Sequence, residues 1–294
     1  MVRIACLLLA WAASAAGQSP AADLLEAKTL AELRRYDAGF DGALGVAAID
    51  LATGRALALH GDTVFAQASV IKIPILVGLY RAAHAGAFRF EDKVTLQPGE
   101  AVGGSGRLQF ALKNGPVTLT ARELMTAMIV DSDNTATNRC IDLAGGMGQL
   151  NSMLGADGFP RTRVRRKMMD AAAAERGDEN LSTPSEMARI VERIYRAKIV
   201  DAAASREILD LMRRVHGGFE EGLPLDTETA VKTGQLPGAR GEAGVVFLPH
   251  RPFVLSVMSG FIDDRHTPVA EVTRIVYRMF EKLERANAYG HAIR

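Results

Sequence analysis

Apolar residues recur at near-helical spacing over residues 24–36, with charged residues between them, and predict an amphipathic helix. Two short apolar runs, 44–50 and 56–60, flank a turn at Thr53-Gly54 and read as a β-hairpin. From about residue 66 to residue 198 the pattern turns helical. Segments 73–84, 121–130, 132–144 and 184–197 carry the 3.6-residue period, interrupted by glycine-rich loops at 103–106 and 145–146. Strand-like runs return at 229–233, 243–248 and 253–261, and Pro249-His250-Arg251-Pro252 turns between the last two. A final helix is predicted over 269–288. This order predicts an α+β fold in which both chain ends share one antiparallel sheet flanked by helices. The expected division is an α/β subdomain of 20–65 with 210–294 and a mostly helical subdomain of 66–209, with an active site in the cleft at their junction.

The first 17 residues belong to a different pattern. Arg3 precedes an apolar run at 4–11 and small residues at 12–17, which reads as a secretory signal peptide and predicts a secreted or periplasmic protein. No later run is long enough to span a bilayer. Cys6 lies in that leader, so Cys140 alone remains in the mature chain, without an internal disulfide, and reads as a small buried hydrophobe.

Apolar residues make up 48% of the chain, enough for a sizeable core, and the formal net charge is +1. With no long block of like charge, neither nucleic acid nor a membrane surface is expected as a partner. The densest basic cluster, Arg163, Arg165, Arg166 and Lys167, reads as a solvated loop face. The 6 histidines show no ligand spacing, so neither metal nor cofactor is expected, and the chain is expected to act as a monomer on a small molecule.

Three short motifs carry candidate chemistry. In Ser69-Val70-Ile71-Lys72 a hydroxyl and an amine lie three residues apart, on one face of a helix starting near Ser69. A lysine of lowered pKa can take a serine proton, and a helix start directs free N–H groups at a reacting carbonyl. Pro74 then falls in the first turn, where it is tolerated. Ser132-Asp133-Asn134 opens a predicted helix and is also an ordinary capping sequence. Lys232-Thr233-Gly234, at a strand end before Gln235, puts a cation and a hydroxyl where glycine lets a substrate backbone approach.

In this order and context the three motifs resemble those of class A β-lactamases and penicillin-binding proteins. Leu119-Thr120-Ala121-Arg122-Glu123-Leu124 and Thr183-Pro184 extend the resemblance over most of the mature chain. It implies a serine hydrolase working through an acyl-enzyme. Ser69 would be the nucleophile, Lys72 its base or proton relay, and Ser132 the relay to the leaving nitrogen, with Asn134 holding the acyl amide. Lys232 and Thr233 would bind the substrate carboxylate, and the N–H groups of Ser69 and Gln235 would form the oxyanion hole.

The chain departs from the family pattern twice. Where class A enzymes carry a deacylating glutamate, this chain has Met168 or Lys167, depending on the direction of alignment, and the asparagine that follows is also missing. Asp170 is the nearest acid, a candidate base or a helix cap. An arginine expected beside the carboxylate clamp is replaced at its counted position by Ala243, with Arg240 nearby as a substitute. The leading expectation is hydrolysis of β-lactams. A D-alanyl-D-alanine carboxypeptidase-like enzyme and a sensor that acylates once are the alternatives.

Overall fold

The computed structural model describes residues 20–263, 267–287 and 289–293, and the leader expected at 1–17 lies outside them. α1 (Pro20–Gly39) leads into the hairpin of β1 (Ala43–Asp50) and β2 (Ala56–Leu59). After the short β3 (Phe65–Ala66), a 3-10 turn, Ala68–Ile71, runs into α2 (Lys72–His84). β4 (Lys93–Leu96) and β5 (Val117–Thr120) pair across an excursion that holds α3 (Leu108–Ala111). Next come α4 (Ala121–Ile129), α5 (Asn134–Leu143), α6 (Gly146–Ala156) and α7 (Ala171–Glu175), and β6 (Leu181–Ser182) returns to pair with β3. α8 (Pro184–Tyr195), α9 (Ala202–Met212) and α10 (Gly218–Gly222) precede three long strands, β7 (Glu228–Leu236), β8 (Ala239–Phe247) and β9 (Phe253–Gly260). α11 (Val269–Glu284) closes the order.

The main sheet is antiparallel throughout, in the order β2-β1-β9-β8-β7. Strands from both chain ends therefore meet at its centre, with Val46 of β1 opposite Val257 of β9. β1 and β9 are buried along almost their whole length, so both faces of the sheet are covered. α8 packs across β1, β9 and β8, while α1 and α11 cover the sheet from the other side, where Phe280 of α11 stacks on Phe253 at 4.1 Å between centroids. α2 is the spine of the helical layer. Its residues from Lys72 to Tyr80 are all buried, as expected of a helix that is apolar around its circumference and surrounded by α4, α5, α6 and α9.

Local chemistry sets several boundaries. Thr120 and Glu123 form a capping box at α4, and Thr183 caps α8 ahead of Pro184. The helix predicted from 132 begins instead at Asn134, because Asp133 takes the cap position and its carboxylate accepts the Ala136 N–H at 2.9 Å. The turn motif likewise differs from expectation: Ser69 sits within the 3-10 turn, and the α-helix proper begins at Lys72. The basic cluster is solvated at Arg165 and Lys167 but each of its charges is also tied down, and Arg166 is buried. Arg165 pairs with Asp178, Lys167 with Asp142 and the buried Arg166 with Glu179, each at 2.8 Å, while Arg163 donates to the Asn151 carbonyl. Those partners are remote in the chain, so residues 163–167 show as a charge run in sequence and as a clasped loop in space.

Candidate active site

The 3-10 turn carrying Ser69 lies against the edge strand β7. The approach is so close that a Cβ on Gly234 would stand 2.8 Å from the Gln67 carbonyl oxygen and 3.0 Å from the Ser69 amide nitrogen. Glycine at 234 is thus a packing requirement, and it keeps the Ser69 N–H beside β7. Ala68, just before Ser69, has a φ of 44°, Ser132 one of 52° and Met169 one of 64°. All three border the cleft around Ser69. Such backbone costs about 1–3 kcal/mol per residue and persists only where the surroundings enforce it.

Lys72 is 0% exposed, and its ammonium donates to the Ser132 carbonyl at 2.6 Å, to Ser132 Oγ at 3.1 Å and to Asn134 Oδ1 at 3.1 Å. Burial first, and repulsion from Lys232 second, hold its pKa well below the ordinary lysine range. A neutral amine in this position can accept a hydroxyl proton. Among the described residues the Ser69 hydroxyl makes no hydrogen bond, so Lys72 rests on Ser132 and Asn134 rather than on the serine three residues before it. Asn134 is engaged at both ends, its Nδ2 donating to the Gly103 carbonyl at 3.0 Å.

Lys232 on β7 is 1% exposed and donates to the Thr233 carbonyl at 2.9 Å. Burial lowers its pKa to about 8, against the attraction of Glu242. Thr233, Gln235 and Arg240 line one lobe of the cleft, about 390 Å³, together with Ser69 and Ser132. Arg240 lies opposite Gln235 in the β7–β8 register, and with the Gln235 amide turned to accept, the two bond at 2.8 and 2.9 Å. Ala243 lies opposite Lys232. The residue across from Thr233 is Glu242, an acid that the sequence reading passed over. It lies one residue before the strand-like run predicted at 243–248, so nothing in the sequence placed it in the sheet.

A second lobe of about 320 Å³ also contains Ser69 and is walled by Asn134, Met168, Met169 and Leu236. Met168 is 7% exposed and its backbone is gripped by Asn138, which accepts the Met168 N–H at 2.7 Å and donates to its carbonyl at 3.2 Å. Lys167 turns away to Asp142. Met168 therefore fronts the cleft, and a thioether occupies the place considered for a carboxylate. The acids on this lobe are Asp170 and Glu179. Glu179 is paired with Arg166, and Asp170 caps α7 by accepting the Ala173 N–H at 3.0 Å. Among the described residues no group of three His, Cys, Asp or Glu could hold a metal ion. Cys140 is buried near Lys72, and burial raises its thiol pKa, which suits a packing residue.

A family model described as the beta-lactamase enzyme family matches residues 27–280. The chain belongs to that family. Beta-lactamase AST-1 of Nocardia asteroides is 31% identical to it over 247 residues, covering 79% of this chain and 77% of that one. Among solved structures, PBP-A aligns with a TM-score of 0.80 and 29% identity, over 87% of this chain and 96% of the other. A mutant of PBP-A, described as an acyl-enzyme complex with penicillin G, aligns with a TM-score of 0.78 and 29% identity, over 88% and 97%. A mutant of the last common ancestor of Gram-negative class A β-lactamases aligns at 0.79 with 28% identity, over 86% and 98%. The chain is a β-lactamase-like serine hydrolase acting on amide bonds, in the α+β fold of that family. No helix among the described residues is long and apolar enough to cross a membrane.

Proposed function

We propose that this protein is exported through its N-terminal leader and opens β-lactams by acylation of Ser69, as part of the response to these antibiotics. The observation that carries the proposal is the Lys72 amine. It is buried, destabilised as an ammonium and hydrogen-bonded to Ser132, three residues after the serine it would deprotonate. Lys72 then takes the Ser69 proton, and Ser132 passes it to the leaving nitrogen. The Ser69 and Gln235 N–H groups receive the oxyanion. Lys232 and Thr233 hold the substrate carboxylate, Arg240 steadies Gln235 beside it, and Asn134 orients the acyl amide. The apolar lobe around Met168, Met169 and Leu236 suits an apolar acyl side chain.

Hydrolysis of the acyl-enzyme needs its own provision for water. With Met168 at the cleft, that step is slow, and what remains of it is assigned to Asp170. Its Oδ1 caps α7, while its Oδ2 makes no hydrogen bond among the described residues. Met168 also favours a second reading, a D-alanyl-D-alanine carboxypeptidase-like enzyme for which β-lactams are inhibitors.

The test is to mix the protein with a chromogenic cephalosporin, follow colour release and record intact masses over time, with Ser69→Ala as control. A burst of colour with a Ser69-bound adduct that decays through slow turnover supports the proposal. A lasting adduct, together with cleavage of a D-alanyl-D-alanine peptide, would move the assignment to the second reading. A lasting adduct with neither activity describes a sensor, and the absence of any adduct would overturn β-lactam recognition.

A further inference from the structure

Glu242 puts a negative charge into a lobe otherwise suited to anions. It lies on β8 opposite Thr233, lines the lobe with Arg240 and is 3% exposed. Its two oxygens accept the Gly218 N–H at 2.8 Å and the Phe219 N–H at 3.1 Å, at the start of α10. Glycine at 217 leaves room for this contact, since a Cβ there would stand 2.6 Å from both Glu242 oxygens and from the Thr233 methyl group. The acid, the threonine of the clamp and the 217–219 backbone therefore meet around one point.

Burial disfavours the charged carboxylate, the two N–H groups favour it, and burial prevails: the Glu242 pKa is raised to about 7. Lys232 attracts it from β7. The other charged groups around it are Arg240 on its own strand and Glu220 and Glu221 on α10. Glu220 is bonded to the exposed His216, and Arg274 of α11 donates to the Glu221 carbonyl. From β9 the paired residue is Val257, and α11 brings Val269 to the same lobe.

We propose that Glu242 is a specificity residue of this cleft: when charged it opposes the carboxylate end of the substrate, and when protonated it admits that end. The inference rests on the proposed role of Lys232 and Thr233 as the carboxylate clamp. A carboxylate seated there faces Glu242 across the β7–β8 pair, and like charges in a cleft of low dielectric repel. Below about pH 7 Glu242 is largely neutral and the Lys232 cation stands unopposed, so anions bind best. As the pH rises through that value, Glu242 ionises and offsets the cation. Substrates without a carboxylate are indifferent to the change.

The experiment compares second-order acylation rate constants for a chromogenic cephalosporin and its carboxyl methyl ester, from about pH 5.5 to about pH 7.5. Taking the ratio of carboxylate to ester cancels the titration of Lys72. In the wild-type chain the ratio is expected to fall about fourfold over this range, the most that a group titrating at about 7 allows. In Glu242→Gln it is expected to stay within about 1.5-fold, and the two proteins converge at the acid end. If the variant folds poorly, the wild-type midpoint decides, since a fall centred near pH 7 belongs to Glu242 and one centred near pH 8 to Lys232. A wild-type ratio independent of pH, or a Gln variant that reproduces the wild-type slope, would overturn the proposal. Failure of both substrates to acylate Ser69 would instead overturn the reading of the site, and this inference with it.

Discussion

Replacing Gly234 with alanine tests the geometry that binds the Ser69 turn to the sheet. The added methyl group would lie 2.8 Å from the Gln67 oxygen, 3.0 Å from the Ser69 nitrogen and 3.0 Å from Val70 Cγ2. Two of these atoms are backbone, so relief requires moving the turn away from β7 by a few tenths of an ångström. Overpacking of this kind costs about 1–3 kcal/mol, and each kcal/mol lowers the melting temperature of a chain this size by about 2–4 °C. The turn carries the Ser69 N–H, and losing one oxyanion donor costs about 10²–10³ in rate. Gly234→Ala is therefore expected to melt several degrees lower and to acylate about a hundredfold more slowly, read from the cephalosporin burst and the mass adduct. Gly260→Ala is the control, because a Cβ there meets nothing within 4 Å. It should match the wild type in both measurements. A Gly234→Ala protein that acylates within about threefold of wild type would refute the claim that this contact positions Ser69.

Met168→Glu is expected to raise steady-state turnover of the cephalosporin at least about tenfold and to shorten the lifetime of the mass adduct; an unchanged lifetime would mean that water is not limiting at this wall. Asp170→Asn keeps a capping side chain on α7, so its melting temperature should hold while residual deacylation drops and acylation does not. Lys232 loses its proton as the pH passes about 8, so kcat/KM for a carboxylate substrate should fall above that value while its methyl ester shows no such limb. Asn138→Ala leaves the Met168 N–H and carbonyl without their side-chain partner and is expected to cost about 1–3 kcal/mol in denaturant unfolding, with increased proteolysis near residues 167–170.

The main elements were legible in the chain because their periods are long and their caps are local. The hairpin at β1 and β2, the buried helix α2 and the three late strands each carry enough repeats of one spacing to declare themselves. β3 with β6 run for two residues each and have no period to read, while β4 and β5 alternate for only four residues, between helical segments, and were missed. The three motifs were legible too, since each is contiguous and chemically marked. Their union was not: Ser69, Ser132 and Lys232 come together only because strands from both chain ends close one sheet against the helical layer.

The sequence by itself determined the residue types available for catalysis, the apolar patterning and the absence of a carboxylate at residues 167 and 168. Tertiary structure alone decided that Met168 and not Lys167 fronts the cleft, because Asn138 and Asp142 on α5 sort the two by hydrogen bond and ion pair. It likewise decided that Glu242, and not Ala243, faces Thr233, because strand register assigns cross-strand partners and counting along the chain does not. The lowered pKa of Lys72 belongs to the fold as well. Desolvation is a property of what surrounds a side chain, and Ser132, Asn134 and Lys232 reach Lys72 only once the chain has folded.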